Sequence, residues 1–571
     1  MPTLAITNFN IVLTVLGAWI TLFGLVSYLS KDRLYLSDPR MSASVVPFFF
    51  NPQALVGCPD RLVLTSGGST TTVISLLAGV ALSPLAANLI RPLEYVGGSE
   101  VTLDEVTLGF SRLVLGVQLV MAGVHLPSRY LRRQWRPLTI LVGPVMTGMW
   151  LMTSLLVWGL VVVPFRGSTV DGTGVLWALA IAACVTPTDP VLSGVIVKGR
   201  FADDNVPQEL QRLIIAESGA NDGLGYPFLF LPLFLLKYVA AGGGNHSAPA
   251  PAPVQGGAST AVGLWFGETW GYVVILGAVY GAVVGWVAKE LLHWADRRKF
   301  VDRESFLVSS IAMALFIIGT GGMLGSDDVL ACFVAGNVFT WDDWFRLETL
   351  EDMLEPTVDM LLNVTIFMWY GAICPWNSFL HNDVVPIWRL VLLGVLVLVL
   401  RRLPFVLAAH RYIPQISQGH NGGGGGSSLR QALFVGFFGP VGVSAIFYMQ
   451  VALEFVAALG EMGLGDHDSI KGLTEMLRVV VWFIAVCSIV VHGLSIPFGK
   501  IFFRLPQQFL GASWGHALSR SSTAAILTPS QGLPITAPPT TRPPSSRDGE
   551  SRPRTAGRGI SFQESGRPQS A

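Results

Sequence analysis

Long apolar runs separated by short polar stretches set the pattern of this chain. A transmembrane helix needs about 20 predominantly apolar residues, and about thirteen runs approach or exceed that length. They cover residues 9–29, 72–90, 104–124, 138–163, 173–197, 208–236, 264–290, 305–323, 327–341, 357–374, 385–409, 430–457 and 475–499. The ninth run is the shortest. The pattern predicts an all-α, polytopic membrane protein with about thirteen transmembrane helices.

Basic residues in the connecting loops predict the orientation of these helices. Connections after odd-numbered runs carry clusters such as Arg129–Arg136 and Arg297–Lys299, whereas connections after even-numbered runs carry few basic residues. Because positively charged loops stay on the cytoplasmic side, we expect the N-terminus outside the cell and the C-terminus inside. The glycosylation sequon at Asn245 then falls in an external loop at residues 238–262.

Composition supports a membrane protein. Hydrophobic residues make up 51% of the 571 residues and charged residues only 13%, against about 25% charged in soluble proteins. The 37 basic and 37 acidic residues balance each other, so the net charge gives no sign of a nucleic-acid partner. Five cysteines occur without a CxxC pair or a Cys/His cluster. This pattern predicts free, buried thiols and neither a disulfide framework nor a metal site.

Three polar stretches interrupt or follow the apolar runs. Residues 41–70 form an insertion between the first two expected helices, and residues 421–428 (NGGGGGSS) form a flexible linker. Residues 505–571 are rich in Pro, Ser, Thr and Arg and lack an apolar period, which predicts a disordered cytoplasmic tail. We therefore expect a transmembrane domain over residues 1–504, followed by that tail.

The sixth run contains two carboxylates, although a charged group in the bilayer core costs at least about 2.5–3.5 kcal/mol. In the stretch ESGANDGLGYPF, Ser218 and Asp222 lie four residues apart, as do Glu217 and Asn221. On a helix these pairs form two adjacent stripes of hard oxygen ligands, which suit a small cation such as Na⁺. We expect Asp222 to have a functional role at such a cation site. The alternative is a hydrogen-bond cluster between packed helices.

The fifth and twelfth runs each contain a predicted break. In CVTPTDPVLSG, Pro187 and Pro190 flank Thr188 and Asp189, and prolines remove backbone donors and disfavour helix at the residue before them. In VGFFGPVGVSAIF, three glycines and Pro440 predict a second break. Broken helices present carbonyls and helix ends to an ion. Asp189 either contacts the ion or caps a half-helix. The spacing of the breaks fits inverted six-helix repeats.

Charges in two other runs have candidate roles. Arg401 and Arg402 lie in the eleventh run, where we expect one to pair with Glu217 in the interior and the other to reach towards the cytoplasm. The alternative places both arginines near the membrane interface. Asp327 and Asp328 open the ninth run. They form either an N-cap pair at a helix start or an entrance that concentrates cations.

Several of these stretches together resemble a known family. TPTDPVLS, ESGANDGLGYPF, SDDVLACFVAGN, ALFVGFFGPVGVSAIF and TLGFSRLVLGVQLVMAGVHLPSRYL resemble motifs of the fungal plasma-membrane alkali cation/proton antiporters. These belong to the wider monovalent cation/proton antiporter superfamily. The resemblance runs from about residue 9 to residue 504. The 41–70 insertion, the 238–262 loop and the short tail differ from the longest-tailed yeast members, which bears on regulation more than on transport.

The resemblance implies export of Na⁺, and in many members of K⁺ or Li⁺, in exchange for H⁺ by a homodimer. It implies that Asp222 binds the ion and carries the proton, and that an eleventh-helix arginine binds Glu217. The family's ion site, unwound helix and acidic pair match Asp222, Asn221, Glu217, Ser218, Thr188, Asp189, Asp327 and Asp328.

We therefore expect a secondary antiporter of the plasma membrane and not an enzyme, without a cofactor and with monovalent cations, protons and lipid as its partners. In this scheme Na⁺ and H⁺ compete for Asp222, with help from Ser218 and Thr188. The alternatives are a cation channel or a proton-coupled carrier for another solute. The sequence leaves open the preference between Na⁺ and K⁺ and the exchange stoichiometry.

Overall fold

The computed structural model describes residues 69–88, 90–166, 172–197, 206–240, 257–350, 352, 354–417, 426–462 and 467–504. Several expectations concern residues outside these ranges. They are the first helix at 9–29, nearly all of the 41–70 insertion, the sequon at Asn245, most of the 421–428 linker, the thiol of Cys58 and the tail at 505–571.

Helices account for the regular secondary structure of the described residues, which contain no strand. The all-α prediction is therefore confirmed. The longer helices are α1 Ser69–Leu82, α2 Glu100–His125, α3 Trp135–Phe165, α4 Gly172–Cys184, α5 Pro190–Val197, α6 Gln208–Gly223, α7 Gly225–Leu235, α8 Gly257–Arg297, α9 Arg303–Leu324, α10 Asp328–Phe339, α11 Leu354–Ile373, α12 Ile387–Leu400, α13 Leu403–Ala409, α14 Gly426–Phe437, α15 Val443–Glu461 and α16 His467–Arg504.

Within the residues that the structure describes, seven helical segments are long and apolar enough to cross a membrane. They are α2, α3, α8, α9, α15, most of α16 and the segment Ile387–Tyr412, which contains α12 and α13. Helices α1, α4 and α10 are apolar but shorter. The polytopic membrane architecture agrees with the sequence pattern. The total of thirteen spans and the inverted repeat remain predictions.

Capping residues explain where several helices begin and end. The Ser99 side chain accepts a hydrogen bond from the N–H of Thr102 in the first turn of α2, and Asp302 accepts one from the N–H of Ser305 in α9. Both satisfy backbone donors that a helix start leaves without partners. Helix α9 ends at Leu324 and is capped by Gly325, whose φ of 65° lies in the left-handed region that glycine adopts without strain.

Two expected breaks are present, and they meet each other. Helix α4 ends at Cys184 and α5 begins at Pro190, while α14 ends at Phe437 and α15 begins at Val443. Between them, the N–H of Asp189 donates to the carbonyl of Pro440 at 2.9 Å. The two non-helical segments therefore touch where the broken helices come together.

Three runs differ from the expected continuous helices. The second ends at Leu82 instead of near residue 90, because Pro84 disfavours helix at the residue before it. The sixth divides at Leu224, between two glycines and shortly before a proline. The eleventh divides at Arg401 and Arg402, just ahead of Pro404. Each interruption follows from local backbone chemistry and not from a loss of apolar character.

Close backbone contact joins α8 to α10, the helix that opens with the acidic pair. A Cβ added at Gly281 would lie 2.7 Å from the Cα of Ala331, and one at Gly285 would lie 2.8 Å from the Cα of Ala335. The two glycines are four residues apart and therefore share one face of α8. Small residues at such spacing let transmembrane helices pack backbone against backbone.

We expect Gly281→Val to destabilise the protein by roughly 1–3 kcal/mol, because the new side chain must push α10 away. Thermal unfolding of the purified protein in detergent measures this as a lower melting temperature. Gly263→Val is the matched control, since a Cβ there would meet no atom within 4 Å. Equal melting temperatures for the two variants would contradict the close contact between α8 and α10.

Candidate functional site

Asp189 lies where the broken helices meet, and its carboxylate caps the second half of each. Oδ2 accepts a hydrogen bond from the N–H of Leu192 at 2.9 Å, in the first turn of α5. Oδ1 accepts from the N–H and the hydroxyl of Ser444 at 3.3 and 3.1 Å, in the first turn of α15. A carboxylate at helix N-termini is stabilised by the helix dipoles. Of the two roles considered for Asp189, the geometry supports capping.

Arg401 caps the C-terminal ends of α4 and α14, the first halves of the two broken helices. Its guanidinium donates to the carbonyls of Val185 and Thr186 at 2.6 and 2.9 Å, just after α4, and to the carbonyl of Gly439, just after α14. A cation is stabilised near helix C-termini, where carbonyls lack helical partners. The broken pair thus carries a negative group at its N-terminal ends and a positive group at its C-terminal ends.

Arg402 binds Glu217 in a buried, bidentate ion pair. The two guanidinium nitrogens lie 2.7 and 2.8 Å from the two carboxylate oxygens, and Nε donates to the carbonyl of Val435 at 2.9 Å. Arg401 and Arg402 are both only 3% exposed. The expectation that one arginine reaches towards the cytoplasm is therefore wrong. Backbone carbonyls of the broken helices supply enough acceptors to keep both guanidinium groups inside.

A polar cluster joins the first break to α6. The amide of Asn221 donates to the Thr188 hydroxyl at 2.8 Å, and its oxygen lies 3.2 Å from the N–H of Thr188. The Thr188 hydroxyl lies 3.1 Å from that of Ser218, which in turn donates to Ser193 at 3.0 Å. All four side chains are buried. The sequence-predicted group Thr188, Ser218 and Asn221 is therefore brought together around the unwound segment.

Asp222 differs from every other member of this group. Its side chain is 1% exposed, yet neither carboxylate oxygen has a hydrogen-bond partner among the described residues. Its neighbours Gly219 and Gly223 pack against Phe333 and Leu330 of α10, which holds α6 in place. A buried carboxylate is costly without a partner. Because carboxylate oxygens are hard ligands, Asp222 fits either a proton or a small hard cation.

Asp327 and Asp328, the acidic pair at the start of α10, have different bonding partners. Asp327 Oδ1 accepts from the N–H of Leu330 at 2.8 Å and so caps α10. Asp328 forms an ion pair with Arg112 of α2, which also donates to the carbonyl of Ile318 at 3.0 Å. Both aspartates are buried. The geometry favours the capping interpretation over an entrance that concentrates cations.

Several contributing residues were not predicted from the sequence. They are Arg112, Ser193, Ser444 and Tyr448, each of which contacts a predicted site residue. Arg112 carried a usable signal, because a charged residue inside an apolar run implies a buried partner. The other three are polar or aromatic residues in apolar helices. Their partners lie far away along the chain, so spacing alone does not reveal them.

Residues 57–499 match the family described as sodium/hydrogen exchanger, transmembrane. The chain belongs to this family. It is 32% identical to the Na(+)/H(+) antiporter 2 of Zygosaccharomyces rouxii over 86% of this chain and 53% of that protein. It is 33% identical to the Na(+)/H(+) antiporter of Saccharomyces cerevisiae over 81% of this chain and 44% of that one. The chain thus spans about half the length of these two relatives.

Two further similar proteins are covered by this chain over most of their own length. The Na(+)/H(+) antiporter of Schizosaccharomyces pombe is 30% identical over 77% of this chain and 86% of that protein. A solved sodium proton antiporter from Methanocaldococcus jannaschii covers 85% of this chain and 99% of its own, with 14% identity and a TM-score of 0.48. The resemblance to the fungal antiporters is confirmed, and the sodium/hydrogen exchanger family is one of multi-pass transporters and not a class of enzymes.

In this sodium/hydrogen exchanger family member, we expect Glu217→Gln to destabilise the fold by roughly 3–5 kcal/mol. The substitution leaves the Arg402 guanidinium buried without its counter-charge. Thermal unfolding in detergent measures the effect, and the double variant with Arg402→Gln should recover part of it. Glu94→Gln is the control, because it removes an exposed pair with Arg91 worth under about 1 kcal/mol. Equal effects of the two single variants would contradict a buried, bidentate pair.

Proposed function

We propose that this protein is a secondary antiporter that exchanges Na⁺ for H⁺ across the membrane by alternating access. The observation that carries the proposal is Asp222, a buried carboxylate with two oxygens that have no partner among the described residues. The hydroxyls of Ser218 and Thr188 lie in the adjoining polar cluster. The names of the fungal relatives, each a Na(+)/H(+) antiporter, support the same activity.

Exchange follows from competition for one carboxylate. When the site faces the cytoplasm, Asp222 releases its proton and binds Na⁺, with the hydroxyl oxygens of Ser218 and Thr188 as further ligands. The loaded site then opens to the outside, where Na⁺ leaves and a proton returns. An empty, charged Asp222 crosses a low-dielectric region at high cost. The protein therefore changes orientation with either ion bound, which couples the two fluxes.

The remaining charges hold the site without taking part in binding. Asp189 is engaged at two helix starts, Arg401 at two helix ends, and Glu217 with Arg402. Asn221 fixes Thr188 beside α6. Asp222 is therefore the group that exchanges ions, while its charged and polar neighbours stabilise the broken helices beside it.

Finer properties belong to the same proposal. We propose that the protein works as a homodimer in the plasma membrane, with its N-terminus outside and its C-terminal tail at 505–571 in the cytoplasm. K⁺ and Li⁺ are further candidate substrates, and no cofactor takes part. The transmembrane domain extends over residues 1–504. The basic clusters that follow odd-numbered runs support this orientation.

Asp222→Asn should abolish exchange, because an amide neither binds Na⁺ as a charged ligand nor carries the proton. The purified protein is reconstituted into liposomes, and the collapse of an imposed pH gradient on addition of Na⁺ is followed with a fluorescent dye. Asp296→Asn, at an exposed position near the end of α8, should retain full activity. Na⁺-dependent proton flux in the Asp222→Asn protein at the unmodified rate would rule out the proposal.

Proton competition should also appear in the kinetics of the unmodified protein. Lowering the pH on the Na⁺ side should raise the KM for Na⁺ by up to about ten-fold per pH unit, with the maximal rate retained at saturating Na⁺. Initial rates across a series of pH values measure this. A KM independent of pH, with a falling maximal rate, would instead indicate separate sites for the two ions. Currents through single open pores would indicate the channel alternative.

A further inference from the structure

We propose that Tyr448 is a positioning residue for Asp222 and thereby sets the affinity and the selectivity of the cation site. The inference rests on the proposed function of Asp222 as the ion-binding carboxylate. Tyr448 lies in the second turn of α15, is fully buried, and donates its hydroxyl hydrogen to the backbone carbonyl of Asp222. This bond joins the residue that binds the ion directly to the second broken helix.

The bond from Tyr448 is made at the C-terminal end of α6. Helix α6 ends at Gly223 and α7 begins at Gly225, so Asp222 lies in the last turn before an interruption. Carbonyls in the last turn of a helix lack regular partners. The Tyr448 hydroxyl supplies a partner from α15. It thus holds the end of α6, and with it the Cα that carries the Asp222 carboxylate.

A second residue of α15, Ser444, also contacts a site residue. Ser444 and Tyr448 are four residues apart, so both lie on one face of α15. Ser444 donates to the carboxylate of Asp189, and Tyr448 donates to the backbone of Asp222. A single face of α15 therefore holds both the unwound crossing and the ion-binding residue. One turn of this helix fixes the spacing between them.

The space for the tyrosine ring is also built into the chain. A Cβ added at Gly225 would lie 2.6 Å from the Tyr448 hydroxyl oxygen, so only glycine leaves room for the phenol at this point. The ring of Tyr226 packs edge-on at a centroid distance of 5.4 Å. The phenol ring therefore lies between Gly225 and Tyr226, and its hydroxyl bonds to the carbonyl of Asp222. The arrangement is specific to a hydroxyl-bearing ring and is not generic apolar packing.

Position matters at this site because its ligands are few. Asp222 carries the charge, and the hydroxyls of Ser218 and Thr188 in the adjoining polar cluster are its proposed co-ligands, so a small displacement of the carboxylate changes which cation fits between them. Binding sites require their ligands within about 0.5 Å of the productive geometry. Loss of the Tyr448 bond should therefore weaken Na⁺ binding. It should also reduce the preference between Na⁺ and K⁺, since a looser site discriminates less by size.

The test compares Tyr448→Phe with the matched control Tyr226→Phe in the full-length protein reconstituted into liposomes. We expect Tyr448→Phe to raise the KM for Na⁺ about three- to ten-fold, the range of one lost hydrogen bond. The maximal rate should change less than about two-fold, and the ratio of KM values for Na⁺ and K⁺ should move towards one. Tyr226→Phe should leave all three quantities unchanged, because it keeps the ring contact and alters a different hydroxyl.

Two outcomes would overturn the inference. One is an unchanged KM and an unchanged ratio in Tyr448→Phe alongside a lower melting temperature, which would make the bond purely structural. The other is a Tyr448→Phe protein that does not accumulate in folded form, which would assign the hydroxyl to folding. Asp222→Asn is measured in parallel. If it abolishes exchange while Tyr448→Phe has no effect, only the positioning role fails; if it retains exchange, the proposed function itself fails.

Discussion

Backbone groups freed inside a membrane must find partners within the protein, because lipid offers none. Two helices of this chain break at the same place, and the site depends on how their free ends are satisfied. Asp189 receives the N–H groups of both second halves, and Arg401 donates to the carbonyls of both first halves. Opposite charges at opposite helix ends suit the helix dipoles. An irregular crossing thereby becomes a fixed element of the fold.

That crossing organises the helix that carries Asp222. Helix α6 is attached to it at three points, through the Glu217 ion pair, through the hydrogen bonds of Asn221 to Thr188, and through the Tyr448 hydroxyl. With these neighbours engaged, Asp222 keeps both carboxylate oxygens without a partner among the described residues. A group that costs free energy when buried and unpaired is well suited to gain it back from a proton or a cation.

Sequence patterns predicted the positions of the breaks and the members of the polar cluster. Prolines and glycines in an apolar run indicate an interrupted helix, and charged residues there indicate a buried polar site. These patterns did not predict which charged side chain bonds to which partner. Arg401 and Arg402 are neighbours along the chain, yet one serves helix ends and the other serves Glu217. The break at Leu224 and the contact from Tyr448 depend on how α6, α7 and α15 pack. Such tertiary contacts leave no periodic signature in a single sequence.

If Asp222 is the site of exchange, Na⁺ must displace a proton from its carboxylate when it binds. Proton release measures this directly: NaCl is added to the purified protein in weakly buffered detergent solution, with choline chloride as the reference salt. We expect acidification on addition of Na⁺ that saturates as the site fills, and none for the Asp222→Asn protein. Equal, saturable proton release from the unmodified and the Asp222→Asn proteins would contradict it.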